Sequence, residues 1–144
     1  MRDIKWFADK HVYEKKNISK EAYKIISQKF PKLIDNNGNV KWNYKLCNKN
    51  YCNLHKEHII PGKFAYEKLV DMFAENNFYD IKNKNKAIKS IIEIINKLYC
   101  GLITNDECKC LDSKNLKLKD KMTNNWKWTD DPNLRLTAAN IEMN

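Results

Sequence analysis

The stretch Leu54-His55-Lys56-Glu57-His58-Ile59-Ile60-Pro61 reads as helix or as strand, and the choice decides what its polar side chains can do together. On a helix His55 and His58 share a face; on a strand they point to opposite faces. Pro61 drives Ile60 away from the helical region, and Ile59 and Ile60 are both β-branched, so the segment is expected to be extended. This weighs against one chemistry at once. Cys47, Cys52, His55 and His58 are the right donors for a tetrahedral Zn2+ site. All four, however, fall within twelve residues, where common structural sites draw paired ligands from separate elements. An extended segment also splits the two histidines. Cys108-Lys109-Cys110 does not have the spacing of a zinc-ribbon pair. The zinc set is therefore the less favoured reading, and the five cysteines read as free thiols rather than a disulfide framework.

Working outward, helical patterns dominate. Ile4, Phe7, Ala8, His11 and Val12 recur at helical spacing and predict a helix over 3–15. Ser19 is placed to cap a second helix, with Ala22, Ile25, Ile26 and Phe30 inward and Pro31 as its stop. Asp35 to Asn39 reads as a turn, and Val40 to Tyr44 as a short strand. Pro61-Gly62 opens a helix carrying Ala65, Leu69, Met72 and Phe73 on one face and ending near Asn76-Asn77. Residues 84–99 hold an apolar stripe of Ile88, Ile91, Ile92, Ile95, Leu98 and Tyr99. Thr104 and Glu107 have capping-box spacing for a short helix to Leu111, and 134–141 reads as a last helical or extended piece. The expectation is mainly α: one compact helical domain over 1–144, with a small irregular or β element near 40–60.

Charge points to a polyanionic partner. The chain carries 27 Lys and Arg against 18 Asp and Glu, and residues 1–60 hold 13 of the bases against 6 acids. Neutralising phosphates releases counterions and drives such binding. Lysine and asparagine are abundant throughout, which also fits a lysine-coated surface with no such partner. No apolar run reaches the length of a membrane span, and the N-terminal residues lack a signal peptide's apolar core. No membrane association and a cytoplasmic location are expected.

Glu57 and His58 offer two tools on opposite sides of an extended segment. A carboxylate ligates hard divalent cations, and a neutral imidazole accepts a proton from water. The plain alternative is a packed His58 beside a solvated Glu57. The sequence EHIIP, residues 57–61, resembles the opening of the His-Asn-His (HNH) nuclease motif, whose fold is ββα-metal. The segment Asn133 to Asn140 resembles the family's asparagine-containing continuation. This resemblance implies His58 as general base, Glu57 as metal ligand, Asn133 as the residue orienting the catalytic loop, and Asn140 as a second ligand, around Mg2+ or Mn2+. Lys56, Lys63 and Arg135 are the associated candidate contacts to nucleic acid. The two segments lie about seventy residues apart, with two helical patterns between them.

A wider pattern resembles a family of small uncharacterised proteins of phages, plasmids and other mobile elements. It runs from EHIIP through Leu102-Ile103-Thr104, Glu107, Leu111-Asp112, Met122 and Trp126 to Arg135-Leu136 and Ile141. It implies a bacterial host cell as the setting. Two functions are then expected: a nucleic-acid-binding protein acting as a metal-dependent nuclease on DNA or RNA, or a non-catalytic inhibitor, anti-CRISPR-like or anti-restriction, that binds a host system targeting nucleic acid, such as a defence ribonucleoprotein.

Overall fold

A computed structural model describes residues 12–75 and 81–144. Residues Leu54–His58 are a strand, β3, in line with the constraint Pro61 imposes. Its partner is Cys100–Thr104 (β4), and the two pair antiparallel with Leu54 opposite Thr104 and His58 opposite Cys100. Before them lie β1 (Val12–Tyr13), α1 (Lys20–Lys29) and β2 (Val40–Lys41); α2 (Gly62–Glu75) and α3 (Ile81–Asn96) connect β3 to β4; α4 (Asn105–Leu111) and α5 (Leu134–Ala138) follow. β1 and β2 form a second small antiparallel sheet.

The mainly helical expectation is thereby corrected to a mixed α/β architecture, and the reason lies in two segments. Val12 and Tyr13 continue a helical period in sequence but pair with Lys41 and Val40, followed by a 3-10 turn at Lys15–Asn17. The rest of the expected first helix lies outside the described residues, as does the end of α2 at Asn76-Asn77. The second segment, Cys100 to Ile103, is buried on both faces. It shows no alternation, so periodicity could not mark it as a strand.

The β3–β4 ribbon organises the interior. Leu54, Cys100 and Leu102 face a cluster with Tyr13, Ile18, Ala22, Ile26, Val40 and Leu46. Ile103 packs with Ile59, Leu111, Leu118, Leu136, Ala139 and Ile141. Beyond the ribbon's end, Ile60 joins Ala65, Met72, Ile94, Leu98 and Met122. Trp126 and Trp128 cover this third cluster, with Phe64 against both rings.

Local signals place the helices. Ser19 caps α1 by accepting from the Ala22 N–H at 3.2 Å. Thr104 and Glu107 form the expected capping box of α4. The same Glu107 carboxylate accepts the Ser19 hydroxyl at 2.7 Å, so one side chain ties the starts of α1 and α4 together. Gly101 allows β4 to approach the chain before α1: a Cβ there would lie 2.4 Å from the Asn17 carbonyl oxygen. The apolar stripe on α3 is turned from its expected face. Ala87 and Ile94 are buried while Ile88 and Ile92 are exposed; Leu98, just past the helix, is buried as expected.

Candidate functional site

Arg135 is one of the largest fully buried side chains among the described residues. It lies in the first turn of α5, which packs its inner face through Leu136 and Ala139 against the second cluster. A guanidinium has five N–H groups, and the structure gives partners to all five positions. Nε donates to the Ile59 carbonyl at 2.9 Å, and one terminal nitrogen to the Leu118 and Lys119 carbonyls at 2.6 and 3.2 Å. The other donates to the His58 carbonyl and to Glu57 Oε1. Arg135 therefore holds the end of β3 to the segment before α5. The expectation that it grips phosphate is corrected, because its donors are already spent inside the protein.

Strand alternation puts His55 and Glu57 on one face of β3. Glu57 is largely buried, its side chain 13% exposed, and His55 Nε2 lies 3.2 Å from its second oxygen. Burial alone would raise the carboxyl pKa, but the His55 hydrogen bond and the Arg135 charge and hydrogen bond outweigh it and hold Glu57 below its ordinary range. Because β3 and β4 are in register, α4 starts opposite Leu54 and folds back over this face. Cys108 then lies beside the pair, with one donor atom each of His55, Glu57 and Cys108 within 4.8 Å of one another. Burial, followed by the nearby Glu57 charge, pushes the Cys108 thiol pKa up.

His58 falls on the opposite face, where its Nδ1 lies 3.4 Å from Cys100 Sγ. At the ribbon's end, Glu57 and His58 nevertheless border one depression of about 500 Å³, with His55, Lys56, Pro61, Gly62, Lys119 and Asp120. Asn133 and Asn140 border a different one, with Lys20, Asp131, Thr137 and Glu142. The Asn133 amide group donates to Asp131 at 3.3 Å, and Asn140 is exposed in a left-handed turn with φ +57. The structure thus brings Glu57 and His58 to one depression and leaves Asn133 and Asn140 outside it.

Mg2+ and Mn2+ favour oxygen donors. Against Glu57 stand an imidazole, a thiol and a guanidinium; Asp120 is the other carboxylate on this depression but does not gather with Glu57, and Asn140 is not among the lining residues. The residues do not fit the hard cation implied by the nuclease resemblance. The alternative zinc set is not assembled either. Cys52 is buried in the first cluster with Cys47 packed against it, whereas His55 faces Glu57 and His58 faces Cys100.

A second region carries exposed charge. Lys45 Nζ lies over the rings of Phe30 and Tyr51, 5.7 and 5.2 Å from their centroids. Lys29 donates to the Tyr51 carbonyl, and Tyr44 and Tyr51 are 63% and 39% exposed. Between Lys29 and Asn53 the chain has five lysines and a single acid, Asp35. That carboxylate is occupied by the backbone N–H groups of Asn37 and Asn39. Tyr13 and Tyr23 form no comparable surface: Tyr13 is buried, and Tyr23 is half-buried under Lys15. Of the other expected nucleic-acid contacts, Lys63 is exposed at the start of α2 and Lys56 is half-buried at the depression.

Sequence reasoning set Cys108 aside on its spacing to Cys110, because placing it beside His55 and Glu57 needs the β3–β4 register, and it missed the surface around Lys45. It also misassigned Arg135. One signal was available there: Arg2 and Arg135 are the only arginines in a lysine-rich chain, and a forked donor is hard to replace by lysine. No protein-family model matches the chain, and no curated protein or solved structure matches it at a significant level.

Proposed function

We propose that the chain is a nucleic-acid-binding protein that holds single-stranded DNA or RNA on the surface formed by Lys29, Phe30, Tyr44, Lys45 and Tyr51. The observation that carries this reading is the exposed pair of tyrosines set among lysines in a segment, residues 29–53, whose single acid is already hydrogen-bonded. Lysines track the phosphates and aromatic rings stack on bases, a combination that tolerates any sequence. The mobile-element resemblance makes the RNA of a host defence ribonucleoprotein an alternative partner for the same surface. Among the described residues, no helix is long and apolar enough to cross a membrane.

Fluorescence anisotropy with labelled single-stranded DNA, RNA and duplex tests the reading. Affinity should fall as salt rises, by a log–log slope of about −0.7 for each phosphate neutralised on a single strand. Binding that is absent at low salt, or insensitive to salt, contradicts it. Hydrolysis at Glu57 and His58 is the competing reading. It requires metal-dependent cleavage of these probes that His58→Ala abolishes.

A further inference from the structure

We propose that His55, Glu57 and Cys108 form a binding site for a thiophilic divalent cation of the Zn2+ class. The three come from structurally fixed positions: two same-face residues of a paired strand and one on the capped helix that follows its partner. Among the described residues no other three His, Cys, Asp or Glu side chains gather as closely. Bonds of about 2.0–2.3 Å to a tetrahedral ion place ligand atoms roughly 3.3–3.8 Å apart. Donor atoms already within 4.8 Å reach that arrangement by side-chain adjustments of about an ångström.

The donor chemistry selects the ion. A mixed nitrogen, oxygen and sulfur set favours Zn2+ and Co2+ over Mg2+ and Ca2+. Arg135 holds one Glu57 oxygen, leaving the oxygen now facing His55 to turn to the ion. On binding, the Cys108 thiol loses its proton to solvent, and His55 ligates as neutral imidazole through Nε2 in place of its contact with Glu57. His55 and Glu57 also line the depression beside Lys119 and Asp120. This site is separate from the basic surface, and nucleic-acid binding there neither requires nor excludes it.

The test is anaerobic titration of the reduced, chelator-treated full chain with Co2+, followed by displacement with Zn2+. The wild type should bind one equivalent and show the near-ultraviolet thiolate-to-cobalt charge-transfer band. Cys110→Ser, which changes the exposed neighbouring thiol, should keep the band, and Cys108→Ser should lose it. His55→Gln, at a half-exposed position, should weaken Co2+ binding by more than the roughly 10–100-fold that loss of an outer supporting group costs. No band in the wild type overturns the proposal. So does an unchanged band in Cys108→Ser, which would place the ion on other cysteines.

Discussion

The guanidinium of Arg135 spends every N–H inside the protein, whereas the ammonium of Lys45 lies over two aromatic rings at the surface. Both are cations in a strongly basic chain, and sequence alone invites the same role for each. Their surroundings separate them. At the end of β3, the cation neutralises a buried carboxylate and satisfies four carbonyl oxygens, so its worth is measured in stability. Around Lys45, the neighbours are rings and further lysines, so its worth is measured in what binds. Charge type alone does not indicate function here; where the donors are spent does.

Removing the buried cation breaks this comparison most forcefully. Arg135→Met should destabilise the fold by about 3–5 kcal/mol, because Glu57 and several carbonyls are left buried without a partner. Urea denaturation measures this, and Arg135→Lys should recover only a part, since an ammonium cannot serve the same forked set. A midpoint unchanged in Arg135→Met would remove the structural role assigned to this residue. Gly101→Ala, on the same ribbon, should cost about 1–3 kcal/mol by thermal denaturation. The added methyl meets backbone, not a flexible side chain.

Smaller effects are expected where the partner is replaceable. Ser19→Ala loses the α1 cap and the hydroxyl donated to Glu107, and should lower stability by about 1 kcal/mol. Lys109→Ala sharpens the contrast from the other end. Its ion pair with Asp106 is exposed on both sides, and exposed pairs contribute little. Its melting temperature should match that of the wild type, the opposite of Arg135→Met although both variants lose one positive charge.

The parts of this architecture that were legible in the sequence are local ones. Ser19, Pro31, Thr104, Glu107 and Pro61 act within a turn of where they stand, and the caps and the extended β3 follow from them. The pairing of β3 with β4 is not local, because two helices separate the strands and the fully buried Cys100 to Ile103 gives no alternation. Without that register, Cys108 cannot be set beside His55 and Glu57. The Glu57-His58 pair was visible as chemistry, but its partners were not. Asn133 and Asn140, which sequence likeness joined to it, line another depression. The lysine-rich stretch around Lys45 was visible as charge, while the convergence of Phe30 and Tyr51 beneath that lysine depends on a turn that brings residues from both sides of β2 together.

The most direct test measures binding and stability on the same proteins. Wild type, a Lys45→Ala/Tyr51→Ala double variant and Lys109→Ala are each titrated into labelled single-stranded DNA and RNA at one salt concentration, with urea denaturation run alongside. The double variant is expected to lose about 1–3 kcal/mol of affinity for each base no longer stacked, with its stability changed by only about 0.5 kcal/mol. Lys109→Ala should bind as the wild type does. Equal affinity of all three proteins would contradict the placement of nucleic acid on this surface.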